Sequence, residues 1–335
     1  DFLRPRFPRV KWIANSENLG FSRASNQGLA LAKGEHILFL NPDTVLPEDF
    51  ARNCLAFYRQ AADAPGGLGV RMIDGNGRFL KESRRGFPTP WVAFCRLSGL
   101  TSLFPRSRRF SEYYLGYLPA DRSHRAPVLS GACFWVSRKA LDAAGPFDEE
   151  FFMYAEDIDL SYRLERAGFC NYYFAGTTII HFKGASTQKD LRYVRQFYSA
   201  MSRFRRKHFH RGMPGLFQAA FELAIRTRAA VSAAGRLFTG HVAAPALTGR
   251  RTWLTGDPAS IGRLRPALMH SRRLVTDPQE ANEVIFCQGA AFSFKELISE
   301  WAKMNRGMAA AIYAEGAEAI VSSRHHDNRA EILKL

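Results

Sequence analysis

Cysteine is scarce and scattered in this chain of 335 residues: Cys54, Cys95, Cys133, Cys170 and Cys287 are odd in number, far apart and without a Cys-x-x-Cys pair. That argues against a disulfide framework or a zinc ribbon, and leaves packing in a reducing compartment as their expected role. No apolar run reaches the roughly 18 residues that a membrane-spanning helix needs without meeting a charge. The opening, DFLRPRFPRV, has no signal-peptide character. Carboxylates are also in deficit, with 31 Asp and Glu against 47 Lys and Arg, a formal net charge of +16. Such a chain favours polyanions, anionic lipid surfaces or phosphorylated substrates. Zinc-finger spacing, aromatic RNA-binding signatures and a clear helix-turn-helix pattern are all missing, so no nucleic acid is expected as partner. What is present is 46% hydrophobic and 13% aromatic residues, enough for a sizeable core in one large domain and a smaller one.

Against that basic background, Asp148, Glu149, Glu150, Glu156, Asp157 and Asp159 crowd into twelve positions of the stretch GPFDEEFFMYAEDIDLSYRLERAG, residues 145–168. Its second half reads as a helix: carboxylates in the first turn, Leu160 and Leu164 at helical spacing, Arg163 and Arg166 late, Gly168 as the stop. Its first half sets Phe147, Phe151, Phe152 and Tyr154 between the acids. Aromatic bodies pack, whereas carboxylates must stay wet, paired or employed. Glu156, Asp157 and Asp159 either complement the helix dipole or do chemistry.

Upstream, Val10 to Ala14 reads as a strand end, with a turn-rich loop from Asn15 to Gly20, a helix from Ser22 to Lys33 stopped by Gly34, and a doubly covered strand, Ile37 to Leu40, ending at Asn41-Pro42-Asp43. Strand, helix and strand suggest a parallel crossover, in which ligands gather at the carboxyl ends of strands, where Asp43 falls. Pro47, Glu48 and Asp49 open another helix, and Asp74-Gly75-Asn76-Gly77 marks a hairpin between Val70–Ile73 and Arg78–Leu80. Lys81 to Arg125 is rich in arginine and aromatics without clean periodicity, and suits either an acceptor loop or an irregular basic surface. In VLSGACFWV, residues 128–136, Gly131 permits close approach of a ligand or backbone. Asn18 and Asn26 suit local turn and helix-surface hydrogen bonds as well as ligand contact, and His181 closes an apolar strand.

These residues closely resemble the signature of inverting family 2 glycosyltransferases, particularly the rhamnosyltransferase-like branch. Phe147-Asp148-Glu149, Phe151 to Tyr154, and Glu156, Asp157, Asp159 and Leu160 occur in the family's order. Asn18, Gly20, Phe21, Asn26 and Gly28 match its Asn-x-Gly-Phe…Asn-x-Gly segment, and Asn41-Pro42-Asp43 its diphosphate-metal motif, usually Asp-x-Asp. The resemblance covers about residues 13–186. It implies a GT-A α/β fold, a mixed sheet flanked by helices. It implies Mg²⁺ or Mn²⁺ at Asp43 and His181, Asp157 as general base with Glu156 orienting loop or acceptor, and donor contacts from Asn18, Gly20, Asn26, Asn41 and Gly131. It implies transfer of a sugar from a nucleotide diphosphate-sugar to a glycan or lipid-linked acceptor in cell-surface polysaccharide synthesis. A non-catalytic scaffold on a degenerate transferase fold is the alternative. Asn41 leaves one carboxylate fewer than usual, so metal affinity without nucleotide is expected to be weak. Family members begin with a further strand and helix that recognise the base, and this chain is expected to start about where that unit ends.

The expected organisation is therefore a catalytic domain over residues 1–190, a basic amphipathic helical arm over 191–241 and a small α/β domain over 250–335. The arm carries Arg203-Phe204-Arg205-Arg206-Lys207-His208, and Phe217, Phe221 and Leu223 follow. It suits the cytoplasmic face of an anionic membrane, with the enzyme peripheral there, or a packed helix with a solvated basic face. In the third part, a strand at Thr252–Thr255 leads through Asp257 as N-cap and Pro258 into a helix, and further strands are expected at 284–286, 309–313 and 320–322 with a helix at 293–304. Gly256 lacks the partners of a dinucleotide fingerprint, so no NAD is expected.

Overall fold

The computed structural model describes residues 3–61, 63, 65–182, 191–209, 250–304, 308–324 and 329–335. Its first sheet has the order β1 (His36–Leu40), β7 (Cys133–Ser137), β3 (Pro65–Ile73), β8 (Cys170–His181) and β2 (Thr44–Val45), with β5 (His124–Arg125) also paired to β8. β1, β3 and β8 run parallel to one another, and β7 and β2 run against them. Alternate residues of these strands leave by opposite faces, as the pleat requires. Ile37, Phe39, Phe134 and Val136 enter one core with Leu141, Phe147, Leu160 and Leu164. Leu38, Cys133, Trp135, Leu68 and Met72 enter another with Phe50 and Cys54. The first core is roofed by α1 (Phe21–Leu31), α5 (Arg138–Ala144) and α6 (Glu156–Arg166), the second by α2 (Phe50–Gln60). This is the mixed α/β layering expected from the sequence.

Two local expectations fail. Val10 to Ala14 forms no strand: Val10, Trp12 and Ile13 are exposed, and no strand lies beside them among the described residues to satisfy a ladder. Arg78 to Leu80 contributes only a bridge, Phe79 to Ile73, although the turn itself is made as expected. There Asp74 Oδ1 accepts from the Asn76 and Arg78 N–H groups, and Gly77 sits at φ +72°.

Of the two readings open for the basic stretch after β8, its described part takes that of a packed helix. Over its described part, α7 (Leu191–His208), Ala200 and Phe204 are buried with Val128, Phe151, Ala155 and Ile158. Arg203 donates to the Glu150 carbonyl, and Lys207 lies 2.6 Å from Asp148 and 2.8 Å from Asp159. The basic end of α7 thus answers the acidic stretch, because opposite charges brought together by an apolar contact relieve each other's desolvation. Residues 210–249, including Phe217, Phe221, Leu223 and the linker, lie outside the described residues.

A second sheet, β10 (Arg273–Val275), β9 (Arg251–Gly256), β11 (Glu283–Cys287), β12 (Ala309–Tyr313), β13 (Ala319–Arg324) and β14 (Arg329–Lys334), occupies the C-terminal part. The expected caps are in place: Asp257 accepts from the Ser260 N–H ahead of Pro258–Leu268, and Ser293 with Glu296 forms a capping box on Phe294–Lys303. One face packs on Leu264 and Leu268. The other, with Leu297, Ile298 and Trp301, packs on Ile73 and Ile180 of the first sheet and on Phe182, just past the end of β8. Glu48 fastens the join by accepting from the Phe294 and Lys295 N–H groups, at 2.7 and 3.1 Å, where the helix dipole favours an anion.

Candidate active site

β1 and β2 are the first and fifth strands across the sheet, yet only Asn41, Pro42 and Asp43 separate them. Those three residues therefore cross the carboxyl edge. They are held there by the Asn41 N–H to the Ala132 carbonyl (2.9 Å), the Thr44 hydroxyl to the Asn41 carbonyl (2.8 Å) and the Phe182 N–H to the Asp43 carbonyl (2.8 Å). Thr44 is in register with His181. The crossing sets Asp43 Oδ1 3.3 Å from His181 Nε2, with side chains 8% and 11% exposed.

Asp43 Oδ1 is buried without a hydrogen-bond partner. An unsatisfied buried carboxylate oxygen is costly and marks a place for a missing positive group. Among the described residues no cluster of three or more His, Cys, Asp and Glu converges, so the pair offers two protein ligands at most. That fits Mg²⁺ or Mn²⁺, hard cations commonly held by one or two protein groups together with substrate phosphates and water.

The second half of the site is built where α6 begins. Tyr154 and Ala155 adopt φ +70° and +64°, left-handed values unusual for residues other than glycine, and so swing the helix start towards Gly131. A Cβ on Gly131 would stand 3.4 Å from Asp157 Cβ and 3.7 Å from Glu156 Oε1, so the glycine brings the 130–132 backbone against both carboxylates. Asp157 Oδ2 accepts from the Gly131 N–H (3.1 Å) and from Arg85 Nη2 (2.5 Å), and its Oδ1 from the Ile158 N–H (2.8 Å). Arg85, on β4 (Arg84–Arg85), also donates to the Leu129 carbonyl at 3.1 Å. Glu156 Oε2 is buried without a partner. Burial first, and then the neighbouring charge of Asp157, push the Glu156 carboxyl well above its ordinary value, against a smaller opposing pull from the backbone and Arg85.

Asp43 with His181, and Glu156 and Asp157 with Gly131, share one edge of the sheet, joined through the Asn41 to Ala132 hydrogen bond. Asn18, Gly20 and Asn26 are engaged elsewhere. Asn18 Oδ1 accepts from the Gly20 N–H, and Gly20, at φ +82°, abuts Phe152. The Asn26 amide bonds both the N–H and the carbonyl of Phe147. This pins α1 to the aromatic half of the acidic stretch.

Asp159 points away from Gly131 into Arg163 (2.8 Å), Lys207 (2.8 Å) and His208 (2.7 Å). Burial works to raise its carboxyl, but His208, Arg163 and Lys207 prevail and hold it at about 2. In the sequence, Arg85 is one of many arginines in the basic stretch from Lys81 to Arg125. Alternation in β4 sends Arg84 to the Tyr173 ring and Arg85 to Asp157, a pairing 72 residues apart that no local pattern reveals. A concavity of about 680 Å³ lined by Lys33, His36, Tyr58 and Arg138 lies at the amino end of β1. It contains none of these groups and is at the wrong edge for them.

Over 202 residues the chain is 30% identical to N-acetylglucosaminyl-diphospho-decaprenol L-rhamnosyltransferase of Mycobacterium tuberculosis, a match covering 55% of this chain and 62% of that protein. It is 26% identical over 161 residues to the low-salt glycan biosynthesis hexosyltransferase Agl10 of Haloferax volcanii, 47% of each chain. The chain therefore spans less than two thirds of the length of these relatives. Two solved structures align at 14% identity. A Pyrobaculum calidifontis mannosyltransferase in complex with GDP-Man and Mn²⁺ aligns over 69% of this chain and 58% of its own, at TM-score 0.38. GalNAc-T7 with UDP, GalNAc and Mn²⁺ aligns over 61% and 38%, at 0.40. Likeness at that level decides nothing about the site. The Glycosyltransferase like family 2 profile matches residues 2–199, more than half of the chain, and the chain belongs to that family.

Proposed function

We propose that this chain carries the catalytic body of an inverting glycosyltransferase. It moves a sugar from a nucleoside diphosphate-sugar to a hydroxyl of a glycan or lipid-linked acceptor in cell-surface polysaccharide synthesis. The observation that carries this reading is the sheet edge on which a buried, unsatisfied Asp43 oxygen beside His181 shares a frame with the Glu156–Asp157–Gly131–Arg85 cluster. Both named curated relatives are glycosyl-group transferases, and one is named for a lipid diphosphate-linked sugar.

Asp43 and His181 would hold Mg²⁺ or Mn²⁺ against the donor diphosphate, where the ion offsets charge on the leaving group. The acceptor oxygen attacks the anomeric carbon, the bond from that carbon to the diphosphate breaks, and the acceptor proton passes to the Asp157 carboxylate. Arg85 and the Gly131 and Ile158 N–H groups fix that carboxylate in place. Glu156, kept protonated by its burial and by Asp157, donates a hydrogen bond that orients the acceptor. Two adjacent carboxyls thus take different roles: the surroundings of Glu156 favour its protonated form, while Asp157 is held by Arg85 and backbone N–H groups.

The catalytic body includes α7, packed through Phe204, and the second sheet acts as a brace behind β8 rather than as a site of its own. No helix among the described residues is long and apolar enough to cross a membrane, and we place the protein peripherally at the cytoplasmic face of one. The test is release of nucleoside diphosphate from a panel of nucleotide sugars in the presence of Mn²⁺. Hydrolysis of at least one donor, abolished in Asp43→Asn, is expected. Failure to bind or cleave any donor refutes the reading.

A further inference from the structure

The helical hairpin between β4 and β5 turns its aromatic side chains outward. α3 (Pro90–Leu97) starts from Thr89, whose hydroxyl accepts from the Val92 N–H, with Pro90 in the first turn. Gly99, at φ +84°, breaks the chain before α4 (Leu100–Leu103). Val92 and Cys95 take the inner face, which leaves Trp91, Phe94, Leu103 and Phe104 between 43% and 72% exposed. They form one patch: Trp91 stacks on Phe94 (5.7 Å), and Phe110 lies 6.2 Å from Trp91 and 5.4 Å from Phe104.

Along the chain, the charge of this segment has one sign. Between Glu82 and Glu112 the sequence has no carboxylate. Arg106, Arg108 and Arg109 are exposed, and the Arg109 guanidinium lies over the Trp91 ring at 5.5 Å. Arg203, Lys207 and His208 of α7, by contrast, already have acidic partners. Contiguous exposed aromatics normally mark an interaction surface. Tryptophan and phenylalanine ringed by arginine suit the headgroup level of a lipid leaflet, where the rings enter the acyl boundary and the cations meet anionic phosphates.

We propose that this hairpin is the surface by which the protein docks on an anionic bilayer. Only residues 86–89 separate it from Arg85, which grips Asp157. Docking would therefore hold the carboxyl edge of the sheet close to the headgroups. That purpose rests on the lipid-linked acceptor reading, but the docking itself does not.

The test is co-sedimentation of the full chain with vesicles of phosphatidylcholine alone and of phosphatidylcholine mixed with phosphatidylglycerol. Two double variants are compared, Phe94→Ser with Leu103→Ser, and Arg106→Glu with Arg108→Glu. All four positions are solvent-exposed, and unchanged thermal melting verifies the fold. The wild-type protein is expected to bind the phosphatidylglycerol vesicles preferentially, with each double variant weakening that binding about tenfold or more. Equal binding to both vesicles, or binding unaltered in both variants, overturns the proposal. So does a dimer in vesicle-free buffer that Phe94→Ser with Leu103→Ser dissolves, since a second copy would then cover the patch. Binding of UDP, GDP and dTDP with Mn²⁺ is measured in the same samples. Its loss in the wild-type protein would count against the transferase reading and leave the vesicle result standing.

Discussion

Replacing Glu156 by glutamine should stabilise the protein increasingly as the pH rises. Glu156 is 7% exposed, one of its oxygens is unsatisfied, and its carboxyl is raised from 4.5 to about 8, chiefly by burial and then by the charge of Asp157. Below about pH 4.5 the group is protonated whether the chain is folded or not, and its titration contributes nothing. Between about 4.5 and 8 the unfolded chain releases the proton while the folded chain keeps it, so stability falls as pH increases. Above about 8 both forms are ionised and the loss is complete. At about 1.4 kcal/mol per pKa unit, the ceiling on that loss is about 5 kcal/mol, a large fraction of the stability of most domains. Glutamine has the shape of the protonated acid and cannot ionise, so Glu156→Gln should match the wild-type protein near pH 5 and exceed it by several kcal/mol near pH 8. Urea unfolding of both proteins at about pH 5, 6.5 and 8 measures the difference and cancels the other titrating groups. A difference that stays constant across the three conditions, or that shrinks as pH rises, would refute the assignment of a retained proton to Glu156.

Asp157→Asn should leave nucleoside diphosphate binding nearly intact and lower turnover about 10²-fold or more, the scale of a lost general base. A loss confined to Asp159→Asn would transfer the role to that carboxylate, and both are measured by product formation and calorimetric binding. Trp301→Ala should cost about 3–5 kcal/mol in urea unfolding, because the fully buried indole packs edge-on to Phe182 at 5.8 Å and against Phe286 at 5.5 Å. It should also weaken Mn²⁺-dependent diphosphate binding, since Phe182 directly follows His181. Unchanged binding in a folded Trp301→Ala protein would deny the second sheet its bracing role.

What could be read from the sequence was local. α6 follows from first-turn carboxylates, leucines four apart and Gly168, and the structure ends the helix at Arg166. Asp257, Pro258, Ser293 and Glu296 announce their helices because caps act within one turn. Contacts between distant segments stayed hidden. Nothing near Arg85 indicates that it meets Asp157, and the basic run of α7 gives no sign that Asp148, Glu150 and Asp159 are its partners. Tyr154 and Ala155 carry none of the glycine or asparagine signals of left-handed backbone, so the sharp entry into α6 was equally silent. β10 and β14 were missed because three residues carry too little periodicity in one case, and in the other the strand is an edge whose charged residues mask alternation.

Asp43 and His181 are expected to form a cation-dependent diphosphate site. Isothermal titration of UDP, GDP and dTDP into the wild-type protein, Asp43→Asn and His181→Ala, each with Mn²⁺ and with chelator, tests it most directly. At least one nucleotide is expected to bind the wild-type protein only when the metal is present, and either substitution should abolish that dependence. Metal-independent binding of equal strength in all three proteins, or no binding of any nucleotide to the wild-type protein, would contradict it.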